Sequence, residues 1–230
     1  MPWRKRSRLV QVVTVPSIAL ILIGLYWNSF GAETASEALV WVLLHAMAFT
    51  PFAIACHRVL LLGEASLPRY GVMQWTTREF RFLWWLLAAF GSAGFVIIMI
   101  VMMILGGTIV NAFDIPEEGA GWSLIGKIFE ALATYVVARL SLILPAVALD
   151  QKLTLSTVWD LSEGNGWRLA VVVGGLPWLL NYLQGLAFSE TDMIPAILRS
   201  VVYCTLLIVE VAALSLSYKA LTPQLSEVSL

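Results

Sequence analysis

Six apolar stretches constrain the fold of this chain more than any other feature of its sequence. A helix that crosses the hydrocarbon core of a bilayer needs roughly 20 mostly apolar residues. Windows of that kind cover residues 9–27, 38–62, 80–105, 125–149, 167–188 and 194–218. They predict an all-α, polytopic membrane helix bundle with about six transmembrane helices.

The composition agrees with a membrane environment. Of the 230 residues, 60% are hydrophobic and only 13% are charged, which is too apolar for an ordinary water-soluble domain. The net charge of −1 gives no overall basic field, so we expect no nucleic-acid partner. The first apolar window is longer than the core of a secretory signal peptide, and we interpret it as a retained anchor.

The basic residues predict the orientation, because cytosolic loops of membrane proteins carry an excess of Lys and Arg. With the N-terminus in the cytosol, Lys127 is the one basic residue of the loops on the opposite side, and these loops also carry several acidic residues. The cytosolic segments then hold Arg4, Lys5, Arg6, Arg8, Arg58, Arg69, Arg78, Arg81, Lys152, Arg168 and Lys219. This asymmetry predicts a multi-pass protein of the bacterial inner membrane with both termini in the cytosol.

The connections between the windows are too short for a folded extramembrane domain, so residues 1–230 are expected to form a single transmembrane domain. The longest cytosolic connection, 63–79, contains Trp75 and Arg78 and leads into Arg81. Its composition suits either a short helix in the headgroup plane or a loop anchored by the interfacial Trp75. Both interpretations remain open from the sequence.

The second cytosolic connection, 150–168, predicts a short amphipathic helix over 156–163. Ser156 is its expected N-cap, and Gly164 with Asn165 supplies a left-handed stop. Trp159 and Arg168 are expected at the membrane interface. Each connection contains a Trp and is completed by an Arg, Arg81 or Arg168, at the start of the next helix. We therefore predict that the regions 38–105 and 125–188 form a degenerate repeat.

The same two regions carry a resemblance. The segment His57-Arg-Val-Leu-Leu-Leu-Gly-Glu64, the pair Arg78 and Arg81, and the run from Asp150 through Gly164-Asn165-Gly-Trp-Arg-Leu169 resemble uncharacterised six-helix bacterial membrane proteins. These proteins are akin to the YciC-like group and to the membrane domain attached to some glycerophosphodiester phosphodiesterases. The resemblance implies an inner-membrane location and a six-helix bundle, and it implies no activity.

Ionisable residues inside membrane helices are costly and usually need a partner. Arg139 and Glu210 lie at similar depth in the fourth and sixth windows, so we predict an intramembrane charge pair between them. Glu130 and Arg199 share a depth nearer the outer surface and form a second candidate pair, unless they simply extend to the surface. The first pair can be a structural clamp or part of an ion, proton or substrate pathway.

The sequence contains no catalytic motif, no zinc-ligand spacing and no nucleotide-binding loop, so we predict neither enzyme activity nor a metal or cofactor. Two functional hypotheses follow. The favoured one is a non-catalytic membrane scaffold or accessory protein that binds membrane lipids, another membrane protein or a second copy of itself. The alternative is a small transporter or channel built on the second and third and the fourth and fifth helices.

Overall fold

Helices are the regular secondary structure of the described part of the protein. The computed structural model describes residues 3–31, 34–67, 75–105, 120–187 and 193–222, and none of these forms a strand. The α-helices are α1 (Trp3–Phe30), α2 (Ala35–Leu62), α3 (Thr77–Leu105), α4 (Ala120–Leu140), α5 (Ile143–Ala148), α6 (Leu155–Leu161), α7 (Gly166–Leu169), α8 (Leu176–Ala187) and α9 (Met193–Leu221). A 3₁₀ turn at Glu64–Ser66 follows α2, and a π-helical segment at Ala170–Gly175 joins α7 to α8.

The predicted all-α class is confirmed, and each predicted apolar window coincides with one helix or with consecutive helices. Four ranges are long and apolar enough to cross a membrane: Ser36–Leu62, Lys127–Ala148, Gly166–Leu186 and Ile197–Leu221. A shorter apolar helix covers Val13–Trp27. The four long ranges support a membrane protein, since each of them exceeds the roughly 20 residues that a spanning helix needs.

The helices pack around α2, α5 and α9. Helix α2 contacts α1, α3, α5 and α9, whereas α4 contacts α3, α6, α7 and the π-helical segment. Phe52, Leu142 and Tyr218 are almost completely buried between them. By contrast, Trp84 is 67% exposed and Leu186 is 69% exposed. Large apolar side chains at that exposure suit a lipid-facing surface better than a water-facing one.

Proline interrupts the second half of the bundle more than the first. Pro145 has no N–H to donate to the Ser141 carbonyl, and the helix breaks at Ser141 and Leu142 between α4 and α5. Pro177 follows the π-helical segment, whereas Pro51 lies inside the uninterrupted α2. The two proposed repeat units, 38–105 and 125–188, therefore differ in helix continuity, and the repeat stays a prediction.

The helix predicted over 156–163 in the second connection is present as Leu155–Leu161, so both of its predicted ends are corrected. The N-cap of α6 is Thr154, whose Oγ1 accepts a hydrogen bond from the Thr157 backbone N–H at 3.2 Å, and Ser156 lies inside the helix. Both are hydroxyl residues that can cap, and the local spacing alone did not separate them. Gly164 adopts the predicted left-handed conformation with φ 73°. Residues 68–74 of the first connection lie outside the described residues.

Candidate functional site

Three arginines converge on one carboxylate at the end of the bundle where α2 ends and α3 begins. Arg58 and Arg78 approach Asp150 Oδ2 at 3.2 and 3.5 Å, and Arg81 Nη2 lies 3.6 Å from Asp150 Oδ1. Arg78 also holds Glu79 Oε1 at 2.8 Å. We call these five residues the arginine cluster. Three guanidinium groups face two carboxylates, which leaves one net positive charge.

The backbone presents Asp150 in an unusual way. After α5, the Gln151 N–H bonds to the Ala146 carbonyl at 2.9 Å and the Asp150 N–H bonds to the Val147 carbonyl at 3.0 Å. This is a Schellman motif, whose left-handed position is usually glycine. Here Asp150 occupies it with φ 61°. The carboxylate is therefore held at the helix end in a conformation that most side chains avoid.

The second carboxylate of the cluster belongs to a capping box. Glu79 accepts a hydrogen bond from the Thr76 backbone N–H at 2.9 Å and a short one from the Thr76 hydroxyl. Burial by itself would raise the pKa of Glu79, but the hydrogen bonds from Thr76 and Arg78 outweigh it and lower this pKa below its ordinary value. Glu79 therefore remains a carboxylate and fixes the start of α3.

Arg81 is the least satisfied cation of the cluster. Its ion pair with Asp150 is the longest of the three, and its Nε atom is buried without a hydrogen-bond partner in the part of the chain that the structure describes. Arg58, in contrast, also donates to the Ala148 carbonyl at 2.9 Å and to the Ser66 carbonyl at 3.3 Å. The cluster thus combines one firmly anchored arginine with one whose Nε donor is unpaired among the described residues.

The predicted charge pair between Arg139 and Glu210 is not formed as an ion pair among the described residues. Arg139 Nε donates to Ser162 Oγ at 2.7 Å, and its guanidinium lies over the Trp159 ring at 3.7 Å from the centroid. It also donates to the Tyr135 hydroxyl and to the Trp159 carbonyl. We call this arrangement the Arg139 clamp, and it ties α4 to α6.

Equal depth along two helices does not determine which way their side chains point. This is why the similar depths of Arg139 and Glu210 did not predict their contacts. Arg139 lies in the last turn of α4, which packs against α6, so a long guanidinium chain finds acceptors there. Glu210 lies on α9 and lines a cavity of about 700 Å³. A cation at the carboxyl end of the short helix α6 is also favoured by the helix dipole.

The second candidate pair is divided between two cavities. Glu130 lines the 700 Å³ cavity together with Glu210, and we call this space the large cavity. Arg199 lines a separate cavity of about 440 Å³ with His45 and Gln184. The Gln184 amide donates to the Arg199 backbone carbonyl at 2.6 Å, and the Tyr203 hydroxyl lies 3.2 Å from His45 Nε2.

The large cavity lies between α2, α3, α4, α9 and the π-helical segment. His57, buried at its wall, forms a 2.7 Å hydrogen bond through Nδ1 with Ser215 Oγ. The Ser215 hydroxyl donates to the Val211 carbonyl, so Ser215 Oγ accepts from His57 Nδ1–H and fixes that tautomer. Elsewhere in the lining, Gly174 lets the π-helical segment approach Thr134 closely. Segments of π-helix are frequent at functional sites.

The predicted interfacial residues lie at the same end of the bundle as the arginine cluster or close to it. The Trp75 ring packs against Phe80, with 5.2 Å between centroids. Arg168 donates to the Asn165 side-chain carbonyl at 3.3 Å. Trp159 is 38% exposed and serves the Arg139 clamp, while Arg78 and Arg81 belong to the arginine cluster.

Sequence reasoning missed Asp150 and Arg58 as members of one site. In the sequence, Arg58 contributes to the charge asymmetry, Asp150 begins the second connection, and both belong to the segments that carry the resemblance. The sequence did contain one usable signal, the capping-box pattern Thr76-Thr77-Arg78-Glu79 at the start of α3. It predicts a buried or paired Glu79 but contains no information about Asp150.

Comparisons of the chain with protein-family models, curated proteins and solved structures gave no match. The resemblance to six-helix bacterial membrane proteins therefore stays a prediction.

Proposed function

We propose that this chain is a non-catalytic membrane protein that binds anionic phospholipid at the cytosolic face of the bacterial inner membrane. In this proposal it crosses the membrane six times, with both termini in the cytosol. The distribution of Lys and Arg supports that orientation, because it puts the arginine cluster on the cytosolic side. The six-helix resemblance supports the same arrangement.

The arginine cluster is the observation that carries the proposal. Guanidinium groups bind phosphate through two parallel N–H donors, and partly buried arginines do so with less competition from water. The side chains of Arg58, Arg78 and Arg81 are 16%, 22% and 32% exposed. A phosphate beside Arg81, the most exposed arginine of the cluster, would balance the net positive charge of the cluster.

The surface next to Arg81 suits a lipid molecule rather than a free anion. Phe80 and Trp84 are 61% and 67% exposed, and their spacing of four residues places them on the same face of α3. A phospholipid can rest its acyl chains on these rings while its phosphate contacts the cluster. Bilayers of bacteria also attract basic groups at the cytosolic surface through their anionic lipids.

The proposal is tested by measuring lipid binding to purified protein in a neutral detergent by native mass spectrometry. Phosphatidylglycerol should bind more tightly than phosphatidylcholine with identical chains. Arg81→Gln should weaken phosphatidylglycerol binding by roughly threefold to tenfold, since one charged hydrogen-bonding group is lost. The matched control is Arg168→Gln, which removes an exposed arginine outside the cluster.

Three outcomes would contradict lipid binding at the cluster. They are equal binding of the two lipids, an equal effect of Arg81→Gln and Arg168→Gln, or full displacement of the lipid by free glycerol phosphate at a comparable concentration. The last result would indicate a site for soluble phosphates. Capture of another membrane protein or self-association remains compatible with a scaffold role.

The alternative, a small transporter or channel, is favoured by one observation, the large cavity between α2, α3, α4, α9 and the π-helical segment. A transporter would move its ligand across liposome membranes in a manner that depends on Glu130 or Glu210. Uptake assays on proteoliposomes distinguish it from a scaffold, for which no uptake above protein-free liposomes is expected.

A further inference from the structure

The large cavity has an unusual combination of an aromatic lining and negative charge. Its walls are mostly apolar and include Phe49, Phe82, Phe90 and Phe129. Its volume of about 700 Å³ falls in the range of roughly 300 to 1,000 Å³ that is typical of sites for drug-sized molecules. The size and lining therefore fit one organic molecule with a bulky apolar body.

The charge of the lining has one sign. Glu130, an exposed residue, and Glu210, which is half-buried, both line the cavity, and its described lining contains no Lys or Arg. In the part of the chain that the structure describes, neither carboxylate forms an ion pair. His57 is the further titratable side chain in that lining, and its Nδ1 is committed to Ser215.

A carboxylate in an apolar, aromatic space is costly to keep charged without a cation nearby. Phenyl rings attract cations through their faces, and this attraction grows when water is excluded. A ligand that combines a positive charge with an apolar body would therefore contact both parts of the lining favourably. A neutral or anionic ligand of the same shape would contact only the rings.

We propose that the large cavity is a binding site for a lipophilic cation, such as an aromatic or quaternary ammonium or phosphonium compound. Glu210 and Glu130 supply the opposite charge, and the phenylalanine rings contact the apolar body. The π-helical segment, which forms part of the wall, widens the backbone at this place. This site shares no residue with the arginine cluster and does not depend on the phospholipid proposal.

The probe for the test is tetraphenylphosphonium, whose charge does not change with pH. Its binding to the full-length protein in a neutral detergent is measured by equilibrium dialysis, with tetraphenylborate as an anionic probe of nearly the same shape. Tetraphenylphosphonium should bind and tetraphenylborate should not. Glu210→Gln should weaken binding of the cation by at least about tenfold, because one partner of a desolvated charge pair is lost.

Three variants make the test specific. Glu163→Gln removes an exposed carboxylate outside the cavity and should leave the dissociation constant unchanged. Glu210→Asp keeps the charge and should retain most of the affinity. Arg81→Gln should bind the cation like the wild type, which separates this site from the phospholipid site.

A photoreactive arylazide derivative of the same phosphonium gives a second readout that needs no variant. Labelling should be found in peptides that contain Phe90 or Phe129. The proposal is overturned if the borate binds as well as the phosphonium, if Glu210→Gln and Glu163→Gln bind alike, or if the label is found only outside the cavity wall.

Discussion

The carboxylate of Asp150 lies 3.2 Å from the guanidinium of Arg58, although the two residues are 92 positions apart in the sequence. The same Arg58 nitrogen donates to the Ala148 carbonyl at the end of α5. One side chain of α2 therefore holds both the backbone and the charge of the turn that follows α5. This contact joins the two halves of the bundle at the arginine cluster.

We expect Asp150→Ala to destabilise the protein more than Asp150→Gly. Both changes remove the carboxylate, but only glycine relieves the left-handed backbone. The difference should be about 1 kcal/mol in the free energy of unfolding. Thermal unfolding of the two variants in the same detergent measures it. Equal melting temperatures would show that the backbone at Asp150 carries no strain.

The lowered pKa of Glu79 predicts an acid-sensitive stability. Because this pKa lies below the ordinary 4.5, the contribution of Glu79 is complete above pH 4.5 and is lost as the pH falls through the lower folded value. Glu79→Gln should lower the melting temperature at pH 7, and its difference from the wild type should shrink as the pH falls below 4.5. Glu163→Gln is the exposed control. A difference that is independent of pH would contradict this role of Glu79.

Much of the fold could be predicted from the sequence because one physical requirement dominates it. Apolar runs of membrane-spanning length permit helices and little else, so all six windows coincide with helices. The break between α4 and α5 was less accessible, since Pro51 and Pro145 look alike in sequence but only Pro145 accompanies an interruption. Helix continuity depends on packing around each proline, and a sequence pattern does not contain it.

The site was harder to predict, and the reason is geometric. Depth along a helix follows from residue number, so Arg139 and Glu210 were placed at similar levels. The direction of each side chain depends on which helices are neighbours. Because α4 packs against α6, Arg139 lies next to Ser162 and not next to Glu210. The arginine cluster joins residues from three separate segments, and no local pattern connects them.

The orientation predicts the sides from which single cysteines are labelled. After Cys56 and Cys204 are replaced by serine, Glu163→Cys should react with a membrane-impermeant maleimide only from the cytosolic side. Glu118→Cys should react only from the opposite side, because the proposed orientation puts residue 118 outside the cytosol. Labelling of intact cells and of inverted vesicles makes the comparison. Cytosolic labelling of position 118 would reverse the assigned orientation.

The Arg139 clamp predicts that Arg139 and Glu210 act independently. Residues without shared contacts usually change stability additively, within about 0.5 kcal/mol. The losses of Arg139→Leu and Glu210→Leu should therefore add in the double variant, as measured by unfolding in detergent. Ser162→Ala should cost roughly 1.5 to 3 kcal/mol, because it leaves the Arg139 Nε–H unpaired. Recovery of stability in the Arg139→Leu and Glu210→Leu double variant would instead support the charge pair.

Close packing of Gly174 against Thr134 gives the prediction with the sharpest control. A Cβ atom added at Gly174 would lie 2.0 Å from Thr134 Cγ2 but 3.5 Å from Thr134 Cβ. Gly174→Ala should therefore destabilise the protein by about 1 to 3 kcal/mol, the usual cost of overpacking. Thr134→Ser removes the methyl group that causes the clash, so Gly174→Ala should cost much less in that background.

Gly185 in α8 is the matched control, because nothing lies within 4 Å of a Cβ added there. Gly185→Ala should be neutral or stabilising by up to about 1 kcal/mol, as expected for alanine in a helix. The four proteins of the Gly174 and Thr134 cycle and the Gly185 variant are compared by thermal unfolding in one detergent. If Gly174→Ala lowers the stability equally in the wild type and in the Thr134→Ser background, the contact between the π-helical segment and α4 is not as close as the structure has it.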